Sequence, residues 1–127
     1  MANLIPVINT KTIQKLKERI RLLQDFEGLF QIDIADGKFT AWKTWNSPEV
    51  LKKIKKIEKK FELHLMIHNP ESMLPYWLEV VPKRVIIHLE TIKNFDLLLS
   101  LCKEKEIELG IAINPETPFE DLNQYLS

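Results

Sequence analysis

Hydrophobic and polar positions follow two different periods along this chain. The short apolar-rich runs LIPVI (4–8), LFQIDIA (29–35), FELHLMI (61–67), RVIIHLE (84–90) and ELGIAIN (108–114) have the length and β-branched content of strands. Between them, apolar residues recur at steps of three and four, as in Ile13, Leu16, Ile20 and Leu23, which form one buried stripe of a helix. Residues 47–60 predict a second helix, with Ser47 as its cap and Pro48 at its first position. Residues 69–81 predict a third, which Pro75 is expected to interrupt or split. Residues 94–106 fill the fourth slot, and 117–126 begin again with Thr117 as cap and Pro118 after it. Strand followed by helix, repeated along the chain, predicts an α/β fold of right-handed βαβ units around a parallel sheet.

Alternation within each strand sorts its side chains onto two faces. One face is aliphatic: Ile32 and Ile34, then Leu63, Leu65 and Ile67, then Val85, Ile87 and Leu89, then Leu109, Ile111 and Ile113. The other carries Asn9, Gln31, Asp33, Ala35, Glu62, His64, Met66, His88, Glu90, Ala112 and Asn114. Each buried polar group left without a partner costs about 1–3 kcal/mol, so a purely structural sheet would fill that face with Val and Ile. Ligands of parallel α/β folds bind at the C-terminal ends of the strands, where Asp33, His64, His88, Glu90 and Asn114 emerge. Imidazole beside carboxylate suits a divalent ion such as Zn²⁺, Fe²⁺ or Mn²⁺, with Asp33 and His64 as the leading pair. Glu90 and Glu62 serve equally well as partners that hold an imidazole tautomer. Asp36-Gly37 reads as a turn, and the loop after it brings Trp42 and Trp45 over the strand ends, as ligand cover or as rim packing.

Composition narrows the picture. The 127 residues, 45% hydrophobic, suit a single domain, and 18 acidic residues balance 18 basic ones. That balance argues against nucleic acid and membrane partners, and the lack of a long apolar run or signal pattern predicts a cytoplasmic protein. The lysine-rich run 52–60 flanks Ile54 and Ile57 and reads as a solvated helix face. Cys102, in an apolar segment, reads as a buried structural thiol.

With these residues in hand, the chain resembles the ribulose-phosphate 3-epimerase family, (β/α)8 TIM barrels of the ribulose-phosphate-binding group. The matching pieces, in order, are IDIADGKF (32–39), HLMI (64–67), IIHLE (86–90) and GIAINPETP (110–118). The resemblance implies a partial TIM barrel of five parallel βα units, a truncated domain over residues 1–127. It implies proton abstraction next to the carbonyl of a pentulose phosphate through an enediolate, assisted by a divalent metal. Asp33 matches a strand-two Asp that is both ligand and catalytic acid/base, His64 matches the strand-three ligand, and Met66 matches a methionine of the pocket. His88, Glu90 and Asn114 are expected to join Met66 around the substrate.

The departures matter as much. Gln31 stands where the family has a ligand His, so its neutral amide oxygen should weaken metal affinity; Val7 and Ala35 replace a Ser and a Met. The family's second catalytic Asp and its glycine-rich phosphate loop belong to later strands. Open edges at both ends of the sheet then predict self-association, as a two-fold dimer. Three functions stay open: an epimerase-like isomerase of impaired activity, a metabolite-binding or scaffold relative without catalysis, and one part of a split barrel.

Overall fold

The structure, a computed structural model, describes residues 2–54, 57 and 60–126. The elements alternate as β1 (Val7–Ile8), α1 (Ile13–Leu22), β2 (Phe30–Ala35), α2 (Pro48–Lys52), β3 (Phe61–Met66), α3 (Pro70–Leu78), β4 (Arg84–His88), α4 (Phe95–Glu104) and β5 (Glu108–Ala112). The five strands form one open parallel sheet in the order β1-β2-β3-β4-β5. This is the α/β architecture of a partial TIM barrel.

Register shows how alternation becomes two faces. Ile32, Leu63, Val85 and Leu109 share one rung; Ile34, Leu65, Ile87 and Ile111 share another. These point toward the helices, and Ile34, Leu63, Leu65, Val85 and Ile87 are wholly buried there with Leu51, Leu74 and Leu98 of the helices. At about 1.5–3 kcal/mol for each fully buried aliphatic side chain, this layer supplies most of the drive to fold. The opposite face carries Val7, Gln31, Glu62, Arg84 and Glu108 on its lowest rung, then Asp33, His64, Ile86 and Gly110 on the next.

Several elements depart from the sequence reading. β1 has only two paired residues instead of five. β4 stops at His88, and residues 89–91 form a 3₁₀ turn, so Leu89 and Glu90 are not on the strand. The second helix ends at Lys52, where like charges at helical spacing begin to oppose it, and Ser47 makes no side-chain cap bond. Lys55, Lys56, Glu58 and Lys59 of the expected helix lie outside the described residues. Pro75 does not split α3; it forfeits one N–H in a helix whose Leu74, Trp77 and Leu78 are buried. Residues 119–125 form a 3₁₀ segment in which Pro118, not Thr117, is the cap residue.

Caps follow simple chemistry elsewhere. Thr12 accepts from the Lys15 N–H at 3.2 Å, and Asn94 accepts from the Leu97 N–H at 3.1 Å. Glu71 of α3 accepts from the Lys93 and Asn94 N–H groups at 2.7 and 3.0 Å, tying α3 to the start of α4. Cys102 is buried against the sheet, which pushes its thiol up to about 11 and leaves it inert.

Candidate acid–base site

β2 and β3 place Asp33 and His64 opposite each other on one rung, both facing away from the helices. His64 Nδ1 lies 3.3 Å from Asp33 Oδ1. His88, the last residue of β4, brings its Nε2 to 2.8 Å from His64 Nε2, with the two rings stacked at 4.9 Å and 19°. Beyond it, Glu90 Oε1 sits 3.3 Å from His88 Nδ1. The result is a row of carboxylate, imidazole, imidazole, carboxylate drawn from three consecutive strands and the turn that follows.

Proton bookkeeping constrains this row. Contact between two Nε2 atoms needs one ring to donate and the other to accept. When both Nδ1 atoms donate to their carboxylates, the shared proton leaves one positive charge between two negative ones. Both acids are held in the charged form. Burial pulls the Asp33 carboxyl up, but hydrogen bonds from His64, Gln31 and Asn9 outweigh it and keep it below the usual carboxylate range. Burial likewise opposes Glu90, whose Oε2 accepts from the Asn114 N–H at 2.8 Å and from the Thr117 hydroxyl, and the balance again lies low. Burial, then the proximity of His64, depresses His88, against the pull of Glu90.

The turn after β2 is built around Asp36. Its Oδ1 accepts from the Lys38 and Phe39 N–H groups at 2.8 and 2.9 Å, while Oδ2 accepts from the His68 N–H and faces His68 Nδ1, both at 2.8 Å. Burial opposes charge here too, but the His68 side chain and these backbone donors hold the carboxyl at about 2. Gly37 adopts φ +74°, and a Cβ there would stand 3.3 Å from Lys43. Thr44 closes the neck of the loop, accepting from the Ala35 N–H at 2.9 Å and returning its own N–H to Ala35 O at 3.0 Å. The loop so held lays Phe39 against the His88 ring, 5.1 Å between centroids.

A cavity of about 260 Å³ opens between this loop and the segment 114–116. Met66, His88 and Asn114 line it together with Phe39 and Trp42, so three of the residues expected around a substrate meet at one space. Trp42 is cover, while Trp45 packs against the core. Glu90 does not reach the cavity; it supports His88 and Asn114 from behind. His64 and Asp33 stand one and two side chains further in, linked to the cavity wall through His88.

Two residues act differently from the sequence reading, and two more were missed by it. Glu62 holds no imidazole: it is buried beneath the site and accepts from Arg84 at 2.7 Å, and Arg84 also reaches Glu108 at 2.8 Å. Arg84 was missed, although its parity with His88 along β4 places it on the same face. Gln31 turns its amide N–H to Asp33 Oδ1 at 2.7 Å and so serves the carboxylate as a donor. His68 was also missed; the signal was its parity with His64 and Met66.

The donors do not fit a metal centre as they stand. Two imidazoles on one Zn²⁺ hold their ligating nitrogens about 3.3 Å apart, given bonds of about 2.0–2.1 Å, whereas these Nε2 atoms are at hydrogen-bond distance. Both Asp33 oxygens already accept from protein groups. Among the described residues, no group of three His, Cys, Asp or Glu side chains converges as an ion would require. Among the same residues, no helix is long and apolar enough to cross a membrane.

Fold and site together define an α/β barrel-type protein with an acid–base row at the C-terminal ends of its strands. The comparisons give that class a family: residues 3–127 match the ribulose-phosphate 3 epimerase family model, and the chain belongs to that family. Among similar proteins are the ribulose-phosphate 3-epimerases of Chlamydia pneumoniae, 31% identical over 86% of this chain and 48% of the relative, and of Bacillus subtilis, 26% identical over 75% and 47%. That of Buchnera aphidicola is 25% identical over 97% of this chain and 55% of its own length. The chain spans about half the length of the curated relatives it matches.

Proposed function

We propose that this protein is an impaired epimerase-like isomerase that exchanges the proton next to the carbonyl of a pentulose phosphate without by itself inverting that carbon. The observation that supports the reading is the charged Asp33 at the inner end of a hydrogen-bonded row whose outer end, His88, lines the cavity. Asp33 Oδ2, which among the described residues accepts only from the Asn9 amide at 3.2 Å, is the oxygen open to a proton from the carbon beside the ketone of a substrate that reaches past His88. Loss of that proton leaves an enediolate, and the protonated Asp33 returns a proton to the same face. Once the contact between the two rings opens, the proton on Nε2 of His88 is free to go to the oxygen that gains charge. One acid exchanges a proton; inversion requires a second on the opposite face.

Deuterium incorporation into ribulose 5-phosphate in deuterated water tests this. Slow incorporation is expected, falling about 100-fold or more in Asp33→Asn, the usual span of general acid–base catalysis. Incorporation that survives the substitution overturns the role of Asp33. No incorporation at all by the parent protein favours the second reading, a non-catalytic relative that binds a metabolite or serves as scaffold or split-barrel part, for which Gln31 in the place of a ligand His speaks. An ion held by His64 and Asp33 requires the contact between the two rings to open, and metal analysis of purified protein, with His64→Ala as control, reads whether it does.

The reading includes a second copy of the chain. β1 and β5 each leave a strand edge unpaired within the sheet, and closed symmetric pairing removes such edges. Light scattering at micromolar concentration is expected to return the mass of a dimer; a monomeric mass removes this part of the proposal.

A further inference from the structure

At the end of the sheet opposite the acid–base row, α1 and α2 part over the start of β2. A cavity of about 500 Å³ lies between them, within the size range of small-molecule sites. Ile20, Phe30, Ile54 and Ile57 floor it, and Lys17, Arg21, Lys53 and Lys60 ring it. The four cations extend into solvent, and no acidic side chain is among the described residues that line the space. None of the four makes an ion pair with another described residue.

Helix electrostatics accounts for part of this. Arg21 is in the last turn of α1 and Lys53 is the cap residue of α2, where cations offset the negative ends of the helices. That explanation does not reach Lys17 or Lys60, nor a void of this volume over isoleucine and phenylalanine. Four like charges around an apolar floor repel one another in the empty state. A ligand that is negative at one end and apolar along its body relieves both defects at once.

We propose that this cavity binds a single-chain amphiphile with an anionic head, such as a medium-chain carboxylate, its chain on Ile20, Phe30, Ile54 and Ile57 and its head among the four cations. Lys53 and Lys60 then contribute to a binding site, beyond serving on a solvated face. The inference stands on the α1–α2 cavity alone and does not depend on catalysis at Asp33.

Titration calorimetry with dodecanoate, below the concentration at which it forms micelles, tests it. The expected result is saturable binding of one dodecanoate per chain, and at least tenfold weaker binding of dodecanol, which has the chain without the charge. Lys17→Glu with Arg21→Glu should weaken dodecanoate binding tenfold or more, and Lys53→Glu with Lys60→Glu should do the same. All four positions are exposed, so the variants should fold, with melting temperatures lowered only by the loss of Arg21 and Lys53 at the helix ends; should one pair fail to fold, the other reads the same quantity. Lys103→Glu with Lys105→Glu, on α4, should leave binding unchanged. The proposal is overturned by dodecanol binding as tightly as dodecanoate, by charge-reversed variants that bind as the parent does, or by no saturable binding.

Discussion

The lower and upper halves of the sheet's inner face are built from the same strands and are both rich in charge, yet they do different things. Below, Arg84 is clamped between Glu62 and Glu108 on one rung. Above, two imidazoles lie between Asp33 and Glu90. Burial opposes the charge of Arg84, but its two carboxylates more than offset that and raise its already high pKa, so the lower rung never releases a proton. In the upper row two Nε2 atoms stand 2.8 Å apart, a contact in which one ring donates a proton and the other accepts it. Polarity on a buried face therefore does not by itself mark a reactive site; what distinguishes the two halves is whether the group between the acids can pass a proton on.

Removing the lower cation should have the largest effect. Arg84→Met leaves Glu62, 3% exposed, without its partner, and the loss is expected to be about 3–5 kcal/mol in urea unfolding. Replacing both residues, Glu62→Leu with Arg84→Met, should recover most of it. A small loss for the single variant would erase the contrast.

The Asp36 turn holds a fixed hydrogen-bonded carboxylate inside the upper half and should behave like the lower rung. Asp36→Ala removes the acceptor of four contacts, with an expected loss of about 2 kcal/mol by thermal unfolding. Its carboxyl ordinarily titrates near 3.8 and is held at about 2 in the fold, so it binds a proton more readily when unfolded. The stabilisation is complete above about pH 4 and disappears as pH falls toward 2. In Asp36→Ala that acid-sensitive component should be missing from the pH profile.

His88→Asn should have the smallest effect on stability, about 1 kcal/mol, because the partners it leaves, His64 and Glu90, are both partly open to solvent. The same substitution should abolish most deuterium exchange into ribulose 5-phosphate. A variant that unfolds as readily as Arg84→Met would assign the upper row a structural role like that of the lower.

Much of this was legible beforehand. The two-residue alternation of IDIAD and LHLM fixes which side chains share a face, and parallel pairing of β2 with β3 follows from the helix between them, so the meeting of Asp33 and His64 could be expected. The turn role of Asp36 was readable from the glycine after it. The contact between His64 and His88 was not, because it depends on the stagger of β4 against β3, which no periodicity encodes. Arg84 and Glu108 share the parity of His88 and Ala112, yet strand ends read as solvent-facing until the register sets them beside Glu62. Pro75 misled because propensity describes an isolated helix, and buried Trp77 and Leu78 decide the outcome in the folded chain.

β1 is the shortest strand and lies at the rim of the sheet, and Asn9, immediately after it, supplies the amide that occupies Asp33 Oδ2. Local opening of such a rim needs far less free energy than global unfolding. Each time β1 frays from β2, the acid's outward oxygen comes free while Gln31 and His64 keep the rest of the carboxylate in place. The least protected backbone amides of the sheet thus report on the readiness of its most reactive group.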